Sequence, residues 1–262
     1  MESRYLNERE FHNRAFDEPI RERVEKFYNS AQSSHNWFKR LLRENCTGRA
    51  VLDYGCGTGR NAFALSDSGG CVTGIDISDV AIEQAAQRAR REGRADPTFR
   101  VMNAEALAFD DDTFDLVCGT AILHHLALAR AYAELARVLR PTGRAIFIEP
   151  LGHNALINLY RKLTPALRTA DEHPLLMTDL KMAETYFGRV ETRFFHLLSL
   201  TSVPFQNLRG AQWVLQALDR LDALMFGRLP FLRRYAWTVV IVFSQPIKSR
   251  RFEAPDAPVS AA

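Results

Sequence analysis

The sequence predicts an α/β fold, a doubly wound sheet with helices on both faces. Short runs rich in β-branched residues alternate with longer segments of helical periodicity from Ala50 onward, the order expected of a mostly parallel sheet. The intervening loops are only a few residues long, as in one compact domain. We expect about seven strands, mostly parallel with an antiparallel last strand, and a helical cap inserted after strand five.

Seven runs are predicted as strands. They are Ala50–Tyr54, Cys71–Ile75, Thr98–Met102, Phe114–Gly119, Arg144–Glu149, Arg189–Leu197 and Tyr235–Ser244. Between them, Val80–Arg91 and Ala129–Leu139 place apolar residues on one helical face. The segment Pro141–Gly143 should end the second of these helices and turn the chain into the fifth strand.

Five segments organise the chain. Residues 1–48 contain two predicted helices, Glu8–Phe27 and His35–Glu44, which should cover the start of the sheet, and residues 49–150 form the core. The cap occupies residues 151–188. Residues 189–246 complete the sheet and include an amphipathic helix at Leu208–Phe226, and residues 247–262 form a flexible tail.

Composition excludes several classes of protein. The 262 residues are 47% hydrophobic, and 34 Lys and Arg against 31 Asp and Glu leave a net charge of +3, too small for a nucleic-acid footprint. The four cysteines form no CxxC pair and stand near no histidines at metal-ligand spacing, so we expect no metal site and reduced thiols in a cytoplasmic protein. The longest apolar run, Tyr235–Ile247, is too short to span a bilayer, and the amino terminus lacks the apolar stretch of a signal peptide.

A glycine-rich turn follows the first strand, where Asp53–Arg60 reads DYGCGTGR. Glycines at alternate positions let the backbone approach a ligand closely, and the amides of the following helix favour an anionic group. A dinucleotide fingerprint needs GxGxxG or GxGxxA, whereas Arg60 stands where its last small residue should be. A nicotinamide or flavin dinucleotide is therefore disfavoured.

At this loop the sequence resembles the class I S-adenosylmethionine-dependent methyltransferases, whose first motif reads (D/E)xGxGxG. The resemblance continues through Val72–Ser78, the acidic second-strand motif, and Phe114–Val117, which opens the fourth. Leu123–Leu126 and Glu134–Arg144 match the helix and fifth strand of the ubiquinone/menaquinone-type small-molecule branch. It covers roughly residues 46–150 and implies a Rossmann-like sheet that binds S-adenosyl-L-methionine.

The resemblance implies that the cofactor lies along the carboxyl ends of the first four strands and that the N-terminal helices of residues 1–48 cover the cofactor site. Asp53 would face the ammonium of the methionine moiety, with capping of the adjacent turn as its alternative. Asp76 would accept both ribose hydroxyls, and Ser78 is better placed to cap the next helix. Either Asn103 or Ala104 would contact the adenine. The candidate residues are Asp53, Tyr54, Gly55, Cys56, Gly57, Gly59, Asp76, Ile77, Asn103, Ala104, Glu105, Gly119 and Thr120.

Residues after the fourth and fifth strands would face the transferring methyl. They are His124, His125 and Glu149, and either histidine could instead pack beneath the cofactor. The cap is rich in polar and aromatic groups suited to enclosing a small molecule, and a polar surface insertion is the alternative. The candidate substrate residues are Tyr28, His153, Tyr160 and His173.

We therefore expect a methyltransferase that acts on a small organic molecule at an oxygen, nitrogen or carbon atom. Gly119–Ile122 stands where enzymes that methylate exocyclic amines carry an Asn/Asp-Pro-Pro-Tyr/Phe motif, which favours a small acceptor. The alternatives are a catalytically silent S-adenosylmethionine-binding protein and a methyltransferase acting on a macromolecule. The apolar stripe of Leu208–Phe226 predicts ordinary packing, a dimer contact, or a lipophilic-substrate or membrane-surface site, and the oligomeric state stays open.

Overall fold

Seven strands form one sheet in the computed structural model of the protein, which describes residues 8–14, 32–164, 173–205 and 210–248. The strands are β1 Ala50–Tyr54, β2 Cys71–Asp76, β3 Thr98–Val101, β4 Phe114–Thr120, β5 Leu139–Pro150, β6 Phe187–Phe195 and β7 Thr238–Pro246. Their order is β3-β2-β1-β4-β5-β7-β6. The first five are parallel, and β7 lies between β5 and β6, antiparallel to both. The predicted doubly wound sheet with an antiparallel last strand is confirmed.

Helices occupy both faces of this sheet. Residues 8–14 lie in a first helix, α1. The others are α2 Gln32–Cys46, α3 Arg60–Asp67, α4 Asp79–Arg91, α5 Leu128–Val138, α6 Ala155–Leu163, α7 Met177–Ala183 and α8 Ala211–Arg228. The Ser78 side chain accepts a hydrogen bond from the Ala81 amide at 3.1 Å, so Ser78 caps α4 as the sequence predicted.

Two apolar layers hold the helices against the sheet. On one face Phe38 of α2 packs into a cluster with Val51 of β1, and both side chains are almost fully buried. On the other face Tyr132 of α5 packs with Phe147 of β5 and Phe243 of β7. Because burial of apolar area drives this packing, the faces are closed and the carboxyl ends of the parallel strands remain for a ligand.

Several predicted boundaries differ from the observed ones, and β6 lies at Phe187–Phe195 instead of the predicted Arg189–Leu197. The segment Pro141–Gly143 is not a turn, because β5 begins at Leu139 and includes it. The β4–β5 register runs from Phe114↔Leu139 to Leu116↔Arg144, so the extra residues of β5 bulge out of the ladder. The last strand begins at Thr238 rather than Tyr235, since Pro230–Tyr235 forms a 3-10 helix.

Helix α8 corresponds to the helix predicted at Leu208–Phe226, but its apolar stripe is largely exposed. Its buried side chains are Asp222 and Phe226. Trp213 is 79% exposed, Val214 55% and Leu221 42%, so packing within the described part of the chain leaves most of the stripe uncovered. Among the described residues, no helix is both long and apolar enough to cross a membrane.

Candidate active site

The glycine loop lies at the carboxyl end of β1, and its backbone requires glycine at alternate positions. Gly55, Gly57 and Gly59 have φ angles of 73°, 53° and 81°. A Cβ on Gly55 would lie 2.8 Å from the Ile122 side chain, and one on Gly59 would lie 2.7 Å from the Phe99 ring. The positive φ angles and the close packing of Ile122 and Phe99 therefore require glycine here, which leaves the backbone of the loop bare.

Asp76, at the end of β2, braces this loop. Its Oδ2 atom accepts a hydrogen bond from the Gly57 amide at 2.8 Å, and its Oδ1 atom accepts one from the Ser78 amide at 2.9 Å. The residue is half-buried, and each carboxylate oxygen has a second lone pair. The carboxylate can therefore keep both amides and still accept two hydroxyl groups, as the ribose assignment requires. Ile77, the predicted adenine contact, follows it and is also half-buried.

Asp53 caps the turn next to it, which is the alternative that the sequence left open for this residue. The side chain is 1% exposed, and its Oδ2 atom accepts a hydrogen bond from the Ala62 amide in the first turn of α3 at 3.0 Å. Burial raises the pKa of this carboxyl to about 7, and the bonds from Ala62 and Cys118 oppose the shift. An ammonium group beside Asp53 would stabilise the charged form of the carboxyl, so the raised pKa is compatible with the predicted role. That role toward the methionine moiety stays a prediction.

The segment after β3 is tied internally. The Asn103 side chain accepts a hydrogen bond from the Glu105 amide at 2.9 Å, and the Ala104 carbonyl accepts one from the buried Tyr54 hydroxyl at 2.5 Å. The Glu105 carboxylate accepts a hydrogen bond from the Ala127 amide at 2.8 Å, which orders the start of α5. Glu105 and Tyr54 thus hold the segment after β3 in place. Asn103 is half-buried, and its amide nitrogen can donate to a ligand.

The end of β4 is tightly packed and strained. A Cβ on Gly119 would lie 2.5 Å from the Phe147 ring, so no larger residue fits there. Thr120 accepts a hydrogen bond from the Asn61 side chain at 3.1 Å, which links β4 to α3. Ala121 adopts a φ angle of 53°, a left-handed conformation that costs a non-glycine residue on the order of 1 kcal/mol or more. This strain marks the turn that carries the candidate catalytic histidines.

His124 and Glu149 form a buried pair behind that turn. His124 Nδ1 lies 2.7 Å from Glu149 Oε2, and the residues are 5% and 1% exposed. Glu149 Oε1 accepts hydrogen bonds from the Ile122 and Leu123 amides, each at 2.8 Å. Burying a carboxylate is costly without partners, and Glu149 has three. Glu149 therefore positions the turn and the imidazole instead of lining a pocket.

His125 points to a different neighbour. Its ring lies 4.2 Å from that of His124, centroid to centroid, and its Nδ1 atom lies 3.5 Å from Glu8 Oε2. Burial lowers the pKa of His125, and the Glu8 carboxylate opposes this shift. Helix α1 thus reaches the turn after β4, a contact that the separation of Glu8 and His125 in sequence concealed.

The other side of α1 contacts the start of α4. The Arg9 guanidinium and the Asn13 amide both donate to Asp79 Oδ1, at 3.2 and 2.8 Å, and Ser78 Oγ donates to the Asn13 carbonyl oxygen at 2.6 Å. Because Asp79 follows β2 and His125 follows β4, α1 bridges the carboxyl ends of two strands that flank the glycine loop. This placement supports the expectation that the N-terminal segment covers the cofactor side.

The predicted substrate residues are placed unequally. Tyr28 lies outside the described residues. The His173 amide donates to the His124 carbonyl oxygen at 3.2 Å, which brings the cap next to the candidate catalytic turn. His153 and Tyr160 are half-buried in the cap segment around α6. Their roles toward a substrate stay predictions.

The sequence interpretation missed Glu8, His12 and Asn61. Asn61 follows the glycine loop directly, and only the fold brings it to Thr120. Glu8 and His12 are one helical turn apart, a spacing that was available as a signal and was overlooked. The structure brings them to His125, with the potential ligand atoms within 4.8 Å of one another, and the expectation that the protein has no metal site stays a prediction.

A separate cleft of about 390 Å³ lies between α2, the end of β6 and α8. The Trp37 ring stands between two guanidinium groups there, 4.1 Å from that of Arg40 and 3.8 Å from that of Arg193. The buried Asp222 also lines the cleft, and its carboxylate accepts three backbone hydrogen bonds. This cleft is distinct from the glycine loop and from the His124–Glu149 pair.

Comparison with known proteins agrees with this geometry. Residues 52–147 match the family described as a methyltransferase domain. Aklanonic acid methyltransferase DauC from Streptomyces sp. (strain C5) is 39% identical over 114 residues, which cover 42% of this chain and 52% of that protein. Demethylmenaquinone methyltransferase from Lactococcus lactis subsp. lactis (strain IL1403) is 30% identical over 157 residues, 53% of this chain and 62% of that protein.

The fold is similar to that of solved methyltransferases. Magnesium protoporphyrin IX methyltransferase from Synechocystis PCC 6803, with bound SAH, superposes with a TM-score of 0.59 over 90% of this chain and 97% of that one, at 17% identity. Residues 52–147 are therefore similar in sequence to the methyltransferase-domain family, and the likeness to the solved structure shows the fold. The chain spans 52% and 62% of the lengths of the two curated relatives, so what the whole protein does is inferred from its own site.

Proposed function

We propose that the protein is an S-adenosylmethionine-dependent methyltransferase that methylates a small, partly apolar organic acceptor. The observation that carries this proposal is the glycine loop braced on Asp76, through the 2.8 Å bond from the Gly57 amide. It offers bare backbone beside a carboxylate at the end of β2. The His124–Glu149 pair stands two strands away at the same edge of the sheet.

The residues present fit the cofactor. Gly55, Gly57 and Gly59 give the loop a backbone without side chains, and Asp76 has lone pairs for a ribose diol. Asn103 can both accept from and donate to an adenine edge. When bound, the cofactor supplies an electrophilic methyl group on a sulfonium. The protein must then align an acceptor with that methyl, and alignment alone can contribute about 7–11 kcal/mol.

His124 is the candidate base for an acceptor that carries a proton. As a carboxylate, Glu149 can only accept, so the His124 proton lies on Nδ1 and a proton taken from the acceptor would go to Nε2. Base assistance typically adds about 10²–10⁴-fold to a rate. This arrangement favours a hydroxyl, enol or amine acceptor over one that has no proton to lose.

An apolar acceptor is supported by the surface of α8. Trp213, Val214 and Leu221 are exposed on this helix, and Phe231 directly after it is 65% exposed. The names of two relatives, the aklanonic acid and demethylmenaquinone methyltransferases, identify small organic acceptors. We propose that the exposed surface of α8 meets a lipophilic acceptor or the lipid surface that carries it. The free thiols are compatible with the cytoplasm as its location.

Methyl-labelled cofactor incubated with fractionated metabolite pools tests this function. The proposal predicts label in an organic-extractable fraction, and a His124→Ala variant should bind S-adenosylhomocysteine but transfer label at least about 10²-fold more slowly. Label in protein or nucleic acid would favour a macromolecular acceptor. Cofactor binding without transfer to any fraction would leave the catalytically silent alternative.

A further inference from the structure

Three side chains of the metal-ligating type meet beside the candidate catalytic turn. Glu8 and His12 lie one turn apart on α1, and His125 follows β4. Glu8 Oε2 is 3.4 Å from His12 Nε2 and 3.5 Å from His125 Nδ1. The three potential ligand atoms all lie within 4.8 Å of one another. One carboxylate oxygen therefore faces two imidazole nitrogens at nearly equal distances.

These distances match the edges of a tetrahedral metal site. Ligands bound to zinc at about 2.0–2.1 Å lie roughly 3.3–3.4 Å from one another in a tetrahedron. The two edges from Glu8 already have that length, whereas an N–H···O hydrogen bond has a typical length of about 2.7–3.2 Å. The third edge, between His12 and His125, lies within 4.8 Å and needs to shorten by at most about 1.4 Å, within reach of a rotamer adjustment.

The cluster is shielded from water and anchored by other contacts. The side chains of Glu8, His12 and His125 are 8%, 21% and 12% exposed. Helix α1 is also held by Arg9 and Asn13 on Asp79, so the two helix ligands are positioned without an ion. A buried carboxylate is stabilised by charge pairing or by coordination of a metal.

We propose that Glu8, His12 and His125 bind one divalent transition-metal ion, with zinc as the preferred ion and a fourth position open. Two imidazoles and one carboxylate suit zinc or iron(II) better than magnesium or calcium, which prefer oxygen ligands. An octahedral iron site would place neighbouring ligands roughly 3.0 Å apart, whereas the observed edges fit the tetrahedral ion. The ion would join α1 to the turn that carries His124.

Metal binding can be measured without cofactor or substrate, so this proposal and the proposed function fail separately. The full chain, without an affinity tag and freed of metal by a chelator, is titrated with Co²⁺ and the visible absorption of tetrahedral cobalt is followed. Zinc is then added in competition. The test variants are Glu8→Gln and His12→Gln, and the matched control is Glu10→Gln, an exposed carboxylate on the same helix. Circular dichroism confirms that each variant is folded.

The proposal predicts one equivalent of cobalt with a tetrahedral spectrum, displaced by one equivalent of zinc. Each test variant should bind at least about tenfold more weakly, since even loss of a group that only orients a metal ligand costs about 10–100-fold. The control should bind as the wild type does. Hydrogen exchange of residues 8–14 should slow when zinc is added. Absence of stoichiometric binding, or variants at positions 8 and 12 that bind like the control, would overturn the proposal.

Discussion

Replacement of Glu149 by Gln tests the role of the buried pair. Glu149 is 1% exposed, and its two oxygens accept from the Ile122 and Leu123 amides and contact His124 Nδ1, at 2.8, 2.8 and 2.7 Å. A Gln carbonyl oxygen can retain both amide bonds, because it has two lone pairs. Its NH₂ group would then donate to Nδ1 and move the imidazole proton to Nε2. The candidate base would hold its proton on the wrong nitrogen.

The expected effects on stability and rate differ in size. Exchange of one charge-assisted hydrogen bond for a neutral one should lower the free energy of unfolding by only about 1–2 kcal/mol. Loss of base assistance should lower the single-turnover rate about 10²–10⁴-fold. Affinity for S-adenosylhomocysteine should stay within about twofold, because neither side chain contacts the glycine loop or Asp76 in the contacts described above.

Single-turnover methyl transfer, calorimetry with S-adenosylhomocysteine and urea denaturation separate these quantities. Glu191→Gln, an exposed carboxylate on β6, serves as the matched control and should leave all three unchanged. Combining Glu149→Gln with His124→Ala should add little to the effect of His124→Ala, since the two residues act as a unit. A Glu149→Gln rate within about threefold of the wild type would refute the assigned role.

Three further predictions concern stability, docking and the surface. Burial raises the pKa of Asp53 to about 7, so the folded state holds the carboxyl proton more tightly than the unfolded state does. As pH rises from about 4 to 7, the wild type should therefore lose up to about 4 kcal/mol of stability relative to Asp53→Asn. Urea denaturation at several pH values measures this difference. Asp79→Asn should speed hydrogen exchange of residues 8–14, because it weakens the bonds from Arg9 and Asn13 that hold α1 against α4. The same bonds lower the pKa of Asp79 to about 2, so the docking of α1 onto α4 should weaken as pH falls from about 4 toward 2. Replacing Trp213 by Ser should reduce co-sedimentation with anionic lipid vesicles, since its 79% exposed ring supplies apolar contact area.

Each of these predictions has an outcome that would contradict it, and two have a matched control variant. An unchanged difference between Asp53→Asn and the wild type at all pH values would contradict the buried, protonated carboxyl. Glu83→Gln, an exposed change on α4, should leave exchange of residues 8–14 unaltered, and an equal effect there would contradict the Asp79 anchor. Gln212→Ser, next to Trp213 and also exposed, should leave vesicle binding as it is. If the wild-type protein does not bind vesicles, the proposed contact of α8 with a lipid surface is contradicted.

Local patterns were sufficient to predict most of the sheet. Val51, Val72 and Val117 each lie in a short β-branched run, and these three runs became strands whose valine side chains are buried. The bulge at Pro141–Gly143 could not be foreseen, since it depends on how Phe114 pairs across the sheet. The late start of β7 likewise could not be foreseen, since Tyr235 ends a 3-10 helix and pairing with β5 begins only at Thr238.

The candidate site was predicted where chemistry and sequence position coincide. Asp76 follows a strand next to a glycine loop, and its brace on Gly57 agrees with that position. Glu149 was predicted as a pocket residue, yet its oxygens are turned toward the turn after β4, because only the fold shows which groups a buried carboxylate can pair with. The approach of Glu8 to His125 depends on how α1 docks, which no local pattern specifies.

Calorimetry of S-adenosylhomocysteine binding, with the wild type and with Asp76→Asn, examines the assignment on which the whole account depends. We expect one molecule bound per chain, no binding of NAD, and at least about tenfold weaker binding by the variant, since loss of a charge-assisted hydrogen bond costs about 1.5–3 kcal/mol. Melting curves without ligand show whether the variant keeps its glycine loop ordered. Wild-type protein that fails to bind S-adenosylhomocysteine, or a folded variant that binds it within about twofold of the wild type, would contradict the cofactor site at β1 and β2.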